Sequence, residues 1–163
     1  MQYRERHYRW EWRLRSNPDR LWPLVTDTNR FNRDTGLPAV RRLEDDSTIN
    51  ARQRLSFSRL GLRFEWDEEP FEWVRPHRFG VRRWYRRGPV ASFHVVAELE
   101  PEPDGGTRLV YRTAIRPKTW LGALAVAVGM RLVLPRRFAA VFHRYDEQAA
   151  MDHASAWDLI PSS

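Results

Sequence analysis

Histidine is the first residue type to test for metal or proton chemistry, and the chain has five: His7, His77, His94, His143 and His153. Only His143 and Glu147 share a helical i, i+4 spacing. No His-Glu-x-x-His pattern surrounds them, so the two read as solvated groups on the outer face of a helix. No metal or cofactor is expected. Ser56, Ser58 and Ser92 fall in strand patterns with no Gly-x-Ser-x-Gly elbow, and Gly105-Gly106 suits a hairpin turn rather than a phosphate loop. Cysteine is absent, which excludes disulfides, thiolate nucleophiles and Cys-based metal sites.

General acid–base work is the remaining catalytic option. It needs titratable groups inside a cavity with shifted pKa values. Tyr111 sits on the apolar side of its strand, and Tyr85 or His94 could turn inward. His94 alternates with Phe93 and Val95, so it points to solvent if those two face the core. Glu65 and Asp67 fall opposite Phe64 and Trp66, on a polar face. The plainer account is core tyrosines satisfied by hydroxyl hydrogen bonds, and no catalytic residue is assigned.

These residues must be placed by strands. His7–Arg15 alternates Tyr8, Trp10, Trp12 and Leu14 against Arg9, Glu11, Arg13 and Arg15, the period of a half-buried strand. Ser16-Asn17-Pro18-Asp19 then starts a helix, with Ser16 as expected cap and Asp19 three residues on. That helix runs to about Asp27, and a second short piece ends at Gly36-Leu37-Pro38. Further strand patterns cover Ala39–Leu43, Asn50–Leu60, Leu62–Asp67 with Phe71–Val74, Arg78–Arg87, Val90–Leu99 and Thr107–Arg116. Tight turns containing Gly or Pro separate several of them. Six or seven antiparallel strands result.

A long helix closes the chain, and Pro135 is expected to divide it. The second half sets Phe138, Val141, Phe142, Tyr145 and Ala149 on one stripe, with Arg136, His143, Arg144 and Glu147 opposite. The first half, Trp120–Leu134, is apolar all round. Gly122, Ala125 and Gly129 share one side of it. Such a surface calls for a cover: a short C-terminal tail carrying Trp157, Leu159 and Ile160, a second copy in a homodimer, or a peripheral membrane contact favoured by Arg131, Arg136 and Arg137.

The 163 residues fit one domain, with a core over 8–150 and a tail over 151–163. Nothing at the N-terminus resembles a signal peptide, and the apolar run at 120–134 falls short of a membrane span, so a soluble cytoplasmic protein is expected. The net charge of +7 comes from 28 basic residues, of which Lys118 is the only lysine. An anionic partner such as nucleic acid is one reading. However, the arginines are spread along every second strand position with no dense cluster, and nucleic acid is not the expected partner.

The order of strand, two short helices, a run of antiparallel strands and a long C-terminal helix resembles the START-like helix-grip superfamily. That group includes polyketide cyclases, lipid-transfer domains and plant pollen allergens. Ser16-Asn-Pro-Asp-Arg-Leu21-Trp22-Pro-Leu-Val-Thr-Asp27 is similar to the family's first strand-to-helix junction, and Asp104-Gly-Gly-Thr107 to its penultimate hairpin. The stretch from Pro70-Phe-Glu-Trp73 to Gly88-Pro89 also resembles START-like modules placed before some bacterial nucleotide-cyclase domains. The resemblance implies an α+β fold whose sheet curls around the C-terminal helix. It also implies a cavity between them for a hydrophobic small molecule or lipid, held as a carrier or sensor. Trp10, Trp12, Phe64, Trp66, Tyr85, Phe93 and Tyr111 from the sheet, with Trp120, Leu124 and Val128 from the helix, are the expected walls. The alternatives are a solid aromatic core, a polyketide cyclase- or dehydratase-like enzyme in the same cavity, or an anionic-partner binder.

Overall fold

In the computed structural model, residues 3–36, 41–43, 53–59 and 62–157 are described. Seven strands form one antiparallel sheet: β1 (Arg6–Leu14), β2 (Arg41–Leu43), β3 (Gln53–Arg59), β4 (Leu62–Val74), β5 (Arg78–Arg87), β6 (Val90–Pro101) and β7 (Thr107–Pro117). Their spatial order is β1-β7-β6-β5-β4-β3-β2, so every link except β1 to β7 joins strands consecutive in the chain. Two short helices, α1 (Pro18–Val25) and α2 (Thr28–Asp34), occupy the long excursion after β1. The C-terminal helix comprises α3 (Trp120–Val128), a π turn (Gly129–Val133) and α4 (Leu134–Trp157). Strand boundaries follow the alternation and turn chemistry closely, whereas α4 runs to Trp157, into the stretch expected to be a tail from Met151. Leu159 and Ile160 lie outside the described residues.

Two local expectations change. Asn17, not Ser16, caps α1, accepting from the Arg20 amide at 3.1 Å with Pro18 at the first helical position. Ser16 is committed elsewhere: its amide donates to Asp146 Oδ1 at 2.8 Å, and its hydroxyl donates to the Asp146 carbonyl at 3.2 Å. The C-terminal helix is divided by the π turn preceding Pro135 rather than at Pro135 itself. A proline cannot donate a backbone hydrogen bond and its ring crowds the carbonyl four residues back. A widened turn just before it, in which the Leu134 amide reaches back to the Gly129 carbonyl, accommodates both effects.

The concave face of the sheet meets α4. Phe138, Val141, Phe142, Tyr145 and Ala149 are all buried there, as the stripe requires, against Leu99, Leu109 and Tyr111. Non-polar burial of this extent is the main stabilising contribution. Gly122 lets α3 seat on the β5–β6 turn, since a Cβ there would lie 2.1 Å from the Pro89 carbonyl oxygen. On the convex face, arginines meet carboxylates across strands. Arg78 and Arg112 both reach Glu98, Arg108 is shared by Glu11 and Glu100, and Arg54 and Arg86 reach Asp67. Exposed pairs of this kind add little stability each, yet they account for many of the strand arginines as members of a mixed-charge surface.

Candidate ligand cavity

A cavity of about 180 Å³ opens between the sheet and the helices. Its floor is the concave face of β5, β6 and β7, through Phe79, Val81, Phe93, Val95 and Ile115. Met130 of the π turn, with Leu134 and Phe138 of α4, forms one wall, and Thr28, Phe31 and Asn32 of α2, with Thr35 at its C-cap, form another. Most of the lining is therefore apolar. Its polar groups gather toward β5 and α2, where Arg83, Tyr85 and Tyr111 join the α2 side chains.

Strand alternation puts Arg83 there. Phe79, Val81, Arg83 and Tyr85 are every second residue of β5, and the first three are buried. Arg83 is 7% exposed and donates from Nε to Glu68 Oε2 at 2.6 Å. Register makes the pair, because Glu68 of β4 lies directly across from Arg83. Trp66 Nε1 donates to the same carboxylate oxygen at 3.3 Å, and Thr28 Oγ1 stands 3.5 Å from the other. The Arg83 guanidinium carbon is 5.9 Å from the ring centres of both Trp66 and Phe93, a cation–π distance on each side.

Burial acts to lower the Arg83 pKa, but the Glu68 carboxylate and its hydrogen bond outweigh that and leave it raised. Burial pushes the Tyr85 hydroxyl up, opposed in part by the charge and hydrogen bond of Arg83. Burial does the same to Tyr111. Both tyrosines are therefore neutral hydroxyls that can donate or accept a hydrogen bond. Among the described residues that line the cavity, Arg83 is the only charged side chain. No group of three or more potential metal ligands occurs among the described residues.

Of the ten expected wall residues, Tyr85, Phe93 and Tyr111 line the cavity. Four others lie outside its lining. Trp10 lies edge-on to Phe138 at 5.5 Å, and Trp12 packs on Phe142 at 4.8 Å. Trp66 is fully buried beside Tyr85, with ring centres 5.7 Å apart. Phe64 packs against Gly88 in the β5–β6 turn. Trp120, Leu124 and Val128 are corrected: they project outward, at 64%, 57% and 45% exposure, and none reaches the cavity. The first half of the helix turns Gly122, Val126 and Met130 inward instead, because only the glycine fits against Pro89.

Arg83 and Glu68 were not anticipated. The signal was present in the sequence, since Arg83 continues the Phe79–Val81 alternation and Glu68 continues Phe64–Trp66, but a charge in such a run is ordinarily read as a break in the pattern. His94 faces away from the cavity, as its alternation requires. Burial lowers its pKa, and its Nε2 has no hydrogen-bond partner.

No family model matches the chain, and neither does any curated protein. Solved structures do. An aromatase/cyclase, Zhui, from Streptomyces sp. R1128 superposes with a TM-score of 0.60 at 16% identity, over 90% of this chain and 94% of that one. The protein Ara h 8.0201 gives 0.58 at 9% identity, over 91% and 99%. A conserved protein from Geobacillus kaustophilus gives 0.63 at 14% identity, over 88% and 97%. Identities this low speak to the fold alone, a helix grip with a curled antiparallel sheet around a long C-terminal helix.

Proposed function

We propose that this chain binds a small hydrophobic molecule between the sheet and the C-terminal helix, as a carrier or sensor. The supporting observation is the cavity itself. A solid aromatic core would have closed it, yet Trp10, Trp12 and Trp66 lie outside its lining. At about 180 Å³ it is smaller than the ~300–1,000 Å³ typical of drug-sized ligands and close to the ~150 Å³ of an engineered cavity that admits benzene. A one-ring molecule fits those dimensions better than a multi-ring polyketide or a full lipid.

A cyclase- or dehydratase-like reaction in the same cavity has less support. It would need a group able to take a proton from the ligand near neutral pH. Burial moves Tyr85 and Tyr111 away from that range, and Glu68 Oε2 is engaged by both Arg83 and Trp66. The site is better arranged to hold a ligand than to move its protons. Native mass spectrometry for a co-purified adduct, with calorimetric titration of ethylbenzene and acetophenone, tests the binding reading. An adduct or saturable uptake is expected. Protein that carries no adduct and takes up neither probe overturns it.

The outer face of α3 and the π turn favours an anionic membrane surface as the place of ligand exchange. Trp120, Leu124, Val128 and Leu132, spaced four residues apart, are all exposed, with Leu121 and Val133 beside them. No acidic residue occurs between positions 105 and 145, whereas Lys118, Arg131 and Arg136 flank the patch. A symmetric dimer through this face would bring those like charges together, while anionic headgroups complement them. Flotation with phosphatidylglycerol-containing vesicles should capture the protein in a salt-sensitive way, with loss in Trp120→Ser/Leu124→Ser. Equal capture by phosphatidylcholine alone, or a dimer in solution that those substitutions dissolve, would defeat this docking mode.

A further inference from the structure

Within that binding reading, we propose that Glu68 makes the cavity select small aromatic molecules bearing an uncharged oxygen, such as a phenol or aryl ketone, and reject the matching carboxylates. The cavity has two poles. Phe93, Val95, Ile115, Met130 and Leu134 offer only carbon and sulfur to a ligand, whereas Arg83, Tyr85 and Tyr111 offer N–H and O–H groups. A ring against the first pole and an oxygen at the second satisfies both.

The charge of that oxygen is decided behind the lining. Arg83 alone would attract a carboxylate, as guanidinium groups commonly do. Here Glu68 already holds Nε at 2.6 Å, and the side chains of both partners are withdrawn from solvent, at 9% and 12% exposure. The pair is neutral as a unit. A neutral ligand oxygen accepting from the remaining guanidinium N–H groups leaves it neutral. A ligand carboxylate would leave two negative charges on one positive charge in a poorly solvated space, a state that costs far more than an unmet hydrogen bond. A purely hydrocarbon ligand errs the other way, since it leaves the polar pole without a partner.

Tyr85 and Tyr111 add no opposing charge, because burial keeps both hydroxyls neutral. The nearest acid of α2, Asp34, is taken up by the Tyr145 hydroxyl at 2.8 Å and by Arg30 at 3.5 Å. Among the described residues, Glu68 is therefore the one acid that offsets the Arg83 charge at the site. Removing its charge while keeping its shape should convert the preference.

Calorimetric titration of ethylbenzene, acetophenone and benzoate at neutral pH into the wild-type protein and Glu68→Gln tests this. The wild type should bind acetophenone about tenfold more tightly than either of the others, a difference of ~1.4 kcal/mol. Glu68→Gln should raise benzoate affinity about tenfold and leave acetophenone within about threefold. The wild-type ranking needs no variant, so the proposal stays exposed even if Glu68→Gln fails to fold. Benzoate matching acetophenone on the wild type, or a benzoate-to-acetophenone ratio unmoved in folded Glu68→Gln, overturns the role of Glu68. Ethylbenzene matching acetophenone overturns the requirement for oxygen and leaves the hydrophobic-cavity reading standing. Failure of all three probes removes the cavity reading itself, and this proposal with it.

Discussion

Asp146 and Glu68 are both acids withdrawn from solvent, and the fold holds them in opposite ways. Asp146 sits on α4, 4% exposed, where the amides of Arg15 and Ser16 donate to its two oxygens at 3.1 and 2.8 Å. Ser16 in turn accepts from Thr107 Oγ1 through its carbonyl at 2.7 Å. The knot ties the end of β1, the start of α1, the start of β7 and the C-terminal helix into one unit. Glu68 instead meets side chains, Arg83 and Trp66, and the guanidinium it holds lines the cavity. A carboxylate bound by backbone amides has no spare chemistry, because its partners cannot move without the fold. One paired with a cavity-lining cation can tune what that cation binds.

The comparison is tested most severely by removing Asp146. Asp146→Ala strands the buried Ser16 amide and the part-buried Arg15 amide and should lower stability by about 2–3 kcal/mol, read as a fall in the urea midpoint at unchanged slope. A loss below ~0.5 kcal/mol, the range of ordinary surface substitutions, would show that the knot is not a structural anchor.

Glu68→Gln should cost less, about 1–2 kcal/mol, since Gln can still accept from Arg83 while the charge is lost. Here the two sites should diverge in kind. Benzoate should raise the melting temperature of Glu68→Gln more than that of the wild type, by mass action on a newly favourable site. No such ligand rescue is expected for Asp146→Ala. Equal response of both variants to benzoate would erase the distinction.

The smallest effect concerns acid. Burial pushes the Asp146 carboxyl up, but the amides of Arg15 and Ser16 outweigh it and hold the pKa below its ordinary value of 3.8. A carboxylate with a depressed folded pKa contributes stability that is complete above the unfolded value and is lost as pH falls through the folded one. The wild type should therefore lose stability below about pH 4, and Asp146→Asn should show a shallower acid limb. Parallel acid limbs in urea titrations of the two proteins would contradict the assignment.

Much of the fold could be read from residue order. Tyr8-Trp10-Trp12-Leu14 and Phe93-Val95-Ala97-Leu99 alternate because a strand's side chains do, and the turns around Gly88 and Gly105 carry the residues such turns need. The amphipathic half of the last helix was equally clear, since Phe138, Val141, Phe142 and Tyr145 leave only one face to bury. The cavity was legible in part. Tyr85, Phe93 and Tyr111 were anticipated on the concave face, whereas Trp120, Leu124 and Val128 were assigned to the wrong side of α3. A helix segment apolar all round has no internal signal for which side turns inward. Contact with Pro89 through Gly122 settles that, and Pro89 is 33 residues earlier in the chain.

By itself, then, the sequence determined the strands, the turns, the buried stripe of α4 and the order that makes a helix-grip fold, because each depends on periodicity within a short stretch of backbone. The tertiary structure decided the pairing of Glu68 with Arg83, the capture of Asp146 by Arg15 and Ser16, and the outward turn of Trp120. Each of these depends on register, sheet curl or contact between distant segments. Local alternation places a side chain on a face, but only the assembled fold supplies the group it meets there.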